Sequence, residues 1–521
     1  MSFYDNMEKE TTKKTTRNGA PTYSSSLNSN LDFFAMAGAS RNKQDNNIKE
    51  MFAKAYHEDR EMALRNLVHL RDIRQGGLGE RAMFRVVLDY LLNNSGTMFK
   101  SNKIIVGGLL KYIPEIGRWD DVLYIFNNSN DKWMKQTVAK LISEQMFEDI
   151  KNMREGKPIS LLAKWMPSIN TSSKETVGQA KELIKYLFGK VSPHHKKVYR
   201  KTLSKLRGYL EVVEVKMTNK QWEDIDFSKV PSVASIRYRD AFFKHNEDRY
   251  RDYLEKLSEG KTKVNASVTY PYQIVQAYEK SMMRGTDESD LLLEEAWKSL
   301  PNYLEGVDER AIVVADTSGS MQGTPMTVSI SLAIYCAQRL QGEFKGKYIS
   351  FSSVPKLNTV YEDEPLIDSI RRVYSTDWGM STDINKVFDL ILDTAINNDM
   401  TQEEIPDKII IVSDMEFSMA QRVYSYGHYR EEEVLTETNY QVAKKKFQNK
   451  GYKLPQVVFW NVNSVADTIP VRKDEIGTAL VSGLTPSIFT SVLNGDIEDP
   501  VQMMKGTLNT ERYDFVKEIL K

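Results

Sequence analysis

Residues 313–322 read Val313-Val314-Ala315-Asp316-Thr317-Ser318-Gly319-Ser320-Met321-Gln322. A β-branched apolar run stops at an aspartate, and two serines follow at alternate positions around a glycine. This spacing predicts a strand that ends in a tight turn crowded with side-chain oxygens, just before a helix. Oxygen donors suit a hard divalent cation such as Mg2+, which keeps several waters and takes few protein ligands; Mn2+ accepts the same donors. Read alone, the turn is equally a helix cap, because Ser and Asp are favoured N-cap residues. Its surroundings decide between the two.

Outward from that turn, short β-rich runs alternate with helical patterns. The runs cover 311–316, 347–352, 408–414, 456–462 and, more weakly, 478–482; the helical stretches lie near 326–341, 364–374, 382–397, 435–449 and 486–494. Such alternation predicts an α/β domain over 305–500, a doubly wound parallel sheet with helices on both faces. A C-terminal helix is expected over 501–521. In an open sheet of this kind, ligands collect beyond the carboxyl ends of the strands, where strand order reverses. With the common order 3-2-1-4-5-6, the first and fourth strands are neighbours. Asp316 ends the first strand of the domain and Asp414 ends another, in Ile409-Ile410-Ile411-Val412-Ser413-Asp414; that order makes the two strands neighbours at the switch point, so both carboxylates are expected to face one crevice. Between them in sequence, Trp378-Gly379-Met380-Ser381-Thr382-Asp383-Ile384 delivers a threonine just ahead of a helix. The expected metal ligands are therefore Asp316, Ser318, Ser320, Thr382 and Asp414. The set holds no Cys or His, which argues against zinc. Asp377, Asp383 and Glu416 lie nearby and are expected to be surface or supporting groups.

The pattern Asp316-x-Ser318-x-Ser320, Thr382 and Asp414 resembles the metal-ion-dependent adhesion site of a von Willebrand factor A domain. The resemblance covers about 305–500 and includes each position of that motif in order, with Met380-Ser381 where a Gly-Gly pair often precedes the threonine. It implies that the serines and, in some states, the threonine bind the cation directly. The aspartates would act directly or through water, and a carboxylate of a partner protein commonly completes the octahedron.

The rest of the chain follows a different grammar. Residues 1–30 are rich in Lys, Thr, Ser and Asn, with few aliphatics, and are expected to form a flexible arm. From 31 to 304 the pattern is helical: Met134, Val138, Leu141 and Ile142 keep a 3.6-residue spacing, as do Tyr250, Tyr253, Leu254 and Leu257. Breakers such as Gly76-Gly77, Pro114, Gly117, Pro167, Pro193 and Pro231 punctuate it. Short amphipathic helices bury a face only by stacking, so an all-α helical-repeat region, HEAT-like, is expected, although no fixed sequence period is visible. Together the two regions make a multidomain α and α/β chain, as a length of 521 residues suggests.

Composition sets further bounds. No apolar run approaches the roughly 18 residues of a membrane span, and the N-terminus lacks a secretory segment, so a cytoplasmic, membrane-free protein is expected. Cys336 is the single cysteine; that excludes internal disulfides, and its apolar neighbours make it a core thiol. A net charge of zero hides an asymmetry: residues 1–300 hold 49 Lys and Arg against 39 Asp and Glu, and residues 301–521 hold 22 against 32. A basic half suits a polyanion, or simply attracts the acidic half.

Two clusters in the basic half could meet phosphates. Along His194 to Arg207, Tyr199, Leu203 and Leu206 form an apolar stripe that leaves Lys196, Lys197, Arg200 and Lys201 on other faces. The second cluster holds Arg71, Arg74 and Arg81 around Gly76-Gly77-Leu78-Gly79. Taken singly, each charge run is also an ordinary solvated face. His194 and His195 are adjacent and so share no helix face, which disfavours a metal pair.

Leu70-Arg71-Asp72-Ile73-Arg74 with Gly79-Glu80-Arg81 is similar to a segment of the TROVE module of ring-shaped Ro-type RNA-binding proteins. So are Ile113-Pro114-Glu115-Ile116-Gly117-Arg118-Trp119-Asp120-Asp121 and Lys229-Val230-Pro231-Ser232-Val233-Ala234. The order of blocks also resembles a large uncharacterised family that joins such a helical region to an A domain, with Ser413-Asp414-Met415-Glu416-Phe417, Val458-Phe459-Trp460-Asn461 and Val481-Ser482-Gly483 among its hallmarks. The resemblance implies a non-catalytic RNA-binding scaffold with RNA on its basic surface. The alternative expectation is a metal-dependent protein-interaction module that captures a partner's Asp or Glu and has no nucleic-acid role. A metal-dependent hydrolase fits less well, since the set supplies neither a general base nor a second metal.

Overall fold

The computed structural model describes residues 3–521 apart from 94–98, 265, 267–268, 287, 352–353, 376–381 and 420–436. Among the described residues the strands form two sheets. β1 (Lys13–Thr15) and β2 (Pro21–Tyr23) make an antiparallel hairpin. The second sheet contains β3 (Ala311–Asp316), β4 (Lys347–Phe351), β5 (Lys356–Thr359), β6 (Lys408–Ser413), β7 (Gln456–Asn461) and β8 (Thr478–Ser482). Its spatial order is β5-β4-β3-β6-β7-β8. Numbered within this sheet alone, that is the expected 3-2-1-4-5-6. One correction applies: the sheet is mixed, because β5 pairs antiparallel with β4 at the edge.

β3 and β6 are buried along their whole length, as strands covered on both faces must be. The helix Thr324–Arg339 behind β3 is buried from Met326 to Ala337. A helix buried all round has neighbours on every side. Here they are the sheet and the helix Pro271–Met283 of the helical region. Val328, Ile330, Leu332 and Ile334 are fully enclosed, each contributing roughly 1.5–3 kcal/mol of hydrophobic stabilisation. Cys336 sits in the same layer, where burial pushes its thiol well above the usual range.

Residues 29–298 are mainly helical, as expected. They meet the α/β domain on two flanks: through Pro271–Met283, which packs on the helix Thr324–Arg339, and through the helix Ser29–Met36, which packs on β8. At the second flank Gly38 donates its amide to the Ser482 hydroxyl at 3.1 Å, and a Cβ at this position would lie 2.8 Å from the Ser482 carbonyl oxygen. Only glycine allows that approach. The C-terminal stretch is not one helix but two, Pro500–Leu508 and Phe515–Leu520. Both pack on the helix Arg60–Arg71. No helix among the described residues is long and apolar enough to cross a membrane.

The expected flexible arm is the clearest departure. Phe3–Thr11 is helical, and the β1–β2 hairpin docks on the sheet domain. Tyr23 exchanges backbone hydrogen bonds with Ile469 at 3.1 and 2.8 Å, the Thr22 hydroxyl donates to the Ile469 carbonyl at 2.9 Å, and the Thr16 hydroxyl donates to the Phe417 carbonyl at 2.6 Å. A segment poor in aliphatics is ordered here by backbone and hydroxyl bonds to an existing surface.

Candidate metal centre and basic surface

β3 and β6 run parallel with Ala315 opposite Val412. One residue further, Asp316 therefore stands beside Ser413, and Asp414 begins the turn beyond. Asp316 is fully buried; Oδ1 accepts from the Ser318 amide at 2.9 Å and Oδ2 from the Ser413 hydroxyl at 2.6 Å. The hydroxyls of Ser318 and Ser320 lie 3.1 Å apart. Asp414 Oδ1 accepts from the Glu416 amide at 3.1 Å, whereas Oδ2 is buried without a hydrogen-bond partner. Among the described residues neither carboxylate forms an ion pair.

The electrostatics follow from that geometry. Burial first, and the neighbouring Asp414 charge second, push the Asp316 carboxyl up to about 6. Burial also raises Asp414, against the pull of the Ser320 hydroxyl. Two carboxylates enclosed together without a counter-charge are costly. A cation in the crevice would relieve both, and it would satisfy the orphaned Asp414 oxygen. The donor set is all oxygen, which is the chemistry of Mg2+ or Mn2+. Among the described residues no group of three or more His, Cys, Asp or Glu side chains is placed to hold a metal, so a cation here would need hydroxyl donors beside the two carboxylates.

Thr382 is tied to the segment just beyond β6. Its hydroxyl donates to the Glu416 carbonyl at 2.9 Å, accepts from Asn18 Nδ2 at 3.0 Å, and lies 3.0 Å from the Ser418 hydroxyl. Asp316, Ser318, Ser320 and Asp414 thus gather directly, and Thr382 joins them through the Glu416 backbone. The loop ahead of Thr382, with Asp377 and Met380-Ser381, lies outside the described residues. Glu416 and Asp383 are buried rather than on the surface: Glu416 accepts from the Arg17 amide at 2.7 Å and the Thr468 hydroxyl at 2.9 Å, and Asp383 caps the Asn385 amide at 3.1 Å. The sequence reading missed Ser413 and Asn18. Strand register signals the first, and the Asn18-Gly19 turn dipeptide signals the second.

The basic residues divide sharply. Arg71 is buried and pairs with the equally buried Asp121 at 2.7 Å, so it cannot meet a phosphate. Arg85 shares Asp121 at 2.9 Å, and a Cβ on Gly117 would come within 2.8 Å of the Asp121 carboxylate. The first two TROVE-like segments are thereby bolted together, which is an architectural role. Asp72 binds Arg512 and the Tyr513 hydroxyl, and Glu80 pairs with Arg41. Arg81 is exposed yet paired with Asp120 at 3.2 Å, and Arg74 is exposed. In contrast, Lys197, Arg200 and Lys201 are exposed and Lys196 half-buried on the helix Pro193–Tyr209, whose Tyr199, Leu203 and Leu206 face the core. Among the described residues none of these four has an ion-pair partner. Arg207 on the same helix is structural, donating to the carbonyls of Ala163 and Met166 at 2.8 and 2.6 Å.

A helical region packed against an α/β domain, with two buried carboxylates among serine hydroxyls at the switch point, defines the class of molecule. The model of the family described as Domain of unknown function (DUF2828) matches residues 16–102 and 122–306, and the chain belongs to that family. The model described as Domain of unknown function (DUF7788) matches residues 310–518. An uncharacterized protein of Acanthamoeba polyphaga mimivirus is 29% identical, over 94% of this chain and 86% of its own length. Among solved structures, the Ro (RSR) protein of Deinococcus radiodurans aligns with a TM-score of 0.45 and 13% identity, over 95% of this chain and 100% of that one.

Proposed function

We propose that this chain is a non-catalytic RNA-binding scaffold whose α/β domain holds a divalent cation, Mg2+ or Mn2+, at Asp316, Ser318, Ser320 and Asp414, with Thr382 as a further donor. The observation that carries the cation is the pair Asp316 and Asp414: enclosed, without a counter-charge among the described residues, beside the Ser318, Ser320 and Ser413 hydroxyls, and with one oxygen unsatisfied. The RNA half is supported by the unpaired cations Lys196, Lys197, Arg200 and Lys201 on one exposed helix face, by the basic balance of residues 1–300, and by the TROVE-like segments. Arg71 drops out of the contact set, and Arg81 contributes only by leaving Asp120. The cation's open position would accept a carboxylate from a protein partner.

A second reading, the metal-dependent protein-interaction module without nucleic acid, gains from the loss of Arg71. Sequencing the nucleic acid that co-purifies with the intact chain separates the two. Bound RNA whose affinity falls steeply with salt supports the scaffold. No retained RNA, with partner capture abolished by Asp316→Ala, supports the interaction module.

A further inference from the structure

β1 and β2 are joined by Arg17-Asn18-Gly19. Gly19 takes φ +87°, the left-handed position of a three-residue hairpin loop. The loop is closed by Thr16 N to Ala20 O at 2.8 Å and Gly19 N to Thr16 O at 3.0 Å. This turn is fastened to the segment just beyond β6, within the candidate metal centre. Arg17 donates its amide to Glu416, Gly19 bridges to Ser418, and Asn18 Nδ2 donates both to the Glu416 carbonyl at 2.5 Å and to the Thr382 hydroxyl at 3.0 Å.

A threonine hydroxyl offers one proton and two lone pairs. On Thr382 the proton goes to the Glu416 carbonyl, and the lone pairs face the Asn18 amide and the Ser418 hydroxyl. None remains for a cation. The donor that the crevice lacks for a fuller oxygen shell is therefore occupied by the chain's own N-terminal turn.

We propose that Arg17-Asn18-Gly19 is an internal stop on the cation site: Asn18 is a positioning residue that keeps the Thr382 hydroxyl from coordinating, and full ligation requires the turn to withdraw. This rests on the cation reading above. Cation binding and turn docking then oppose each other by the same factor in both directions. Arg17 and Asn18 are exposed and the Arg17-Asn18-Gly19 tip is held by a few hydrogen bonds, so the tip can lift while the buried Thr16 and Ala20 at its base stay seated.

The test uses the full chain and Mn2+. Affinity is read from the paramagnetic resonance of free Mn2+, and docking from the rate of tryptic cleavage after Arg17, in chelator and in saturating Mn2+. Asn18→Ala should bind Mn2+ about two- to tenfold more tightly, the worth of one hydrogen bond. Mn2+ should speed cleavage at Arg17 in the wild type. In a Thr382→Val background the Asn18→Ala change should leave Mn2+ affinity within about twofold, which a merely structural role of the turn would not produce. If wild type binds Mn2+ in an Asp316-dependent way but neither Asn18→Ala nor Mn2+ alters these readouts, the stop is overturned and the cation site stands. If Asp316→Ala and wild type bind Mn2+ equally, or neither binds, the cation reading fails and the stop falls with it.

Discussion

Replacing Asp316 by Asn should stabilise the cation-free protein while removing its response to Mg2+. The carboxyl is held at about 6 by burial and by Asp414, against about 3.9 in an unfolded chain. The folded state thus binds the proton more tightly than the unfolded one. Stability from this group is fully present below about pH 3.9 and is lost as pH rises through about 6. Two pH units correspond to about 3 kcal/mol, an upper bound on what the buried charge costs above that range. Asn keeps an acceptor for the Ser318 amide, and its Nδ2 faces a Ser413 hydroxyl that can turn to accept. In chelator near pH 8, Asp316→Asn should therefore exceed wild type by about 1–3 kcal/mol, or several degrees in Tm for a domain of this size. Near pH 5 the gap should fall to about half, and it should close only near pH 4 and below, where the unfolded carboxyl is protonated as well. With Mg2+ at a hundredfold excess over Kd, wild type alone should gain about 2.7 kcal/mol, which cancels or reverses the gap. Thermal melts of both proteins at the two pH values, with and without Mg2+, decide the matter. A variant less stable than wild type in chelator at pH 8, or a gap indifferent to pH, would refute the picture of an uncompensated carboxylate pair.

Arg71→Ala should cost about 3–5 kcal/mol in urea unfolding, because it leaves Asp121 buried without its innermost partner, yet RNA affinity of the folded fraction should stay within about twofold. Replacing Lys197, Arg200 and Lys201 together by Ala should leave Tm nearly unchanged; fluorescence anisotropy against salt should show weaker RNA binding and a log–log slope shallower by about 2–3. Gly38→Ala should destabilise by about 1–3 kcal/mol, since the new methyl meets the Ser482 carbonyl at 2.8 Å; a urea midpoint unchanged from wild type would contradict the tight seam between helices and sheet.

The parts legible in the sequence were those carried by local pattern. β3 and β6 are apolar from end to end, so their order and the meeting of Asp316 with Asp414 could be inferred from topology alone. β5 was invisible because Lys356–Thr359 is an exposed edge strand with no buried face to leave a hydrophobic trace. Arg71 and Lys201 look alike in sequence, and only the fold distinguishes them: Arg71 meets a carboxylate 50 residues away, while Lys201 meets none among the described residues. The N-terminal hairpin was missed for a related reason. Its strands have three residues each, and their partners, Ile469, Phe417 and Glu416, lie more than 390 positions further along the chain.

The cation at the head of β3 and β6 is the claim on which the capture of a partner's carboxylate and the N-terminal stop both rest. Anomalous diffraction from crystals of the full chain soaked in Mn2+ tests it most directly. The account predicts a single strong peak bounded by Asp316, Ser318, Ser320 and Asp414, absent in Asp414→Ala. No peak there at saturating Mn2+, or a peak that survives the substitution, would contradict it.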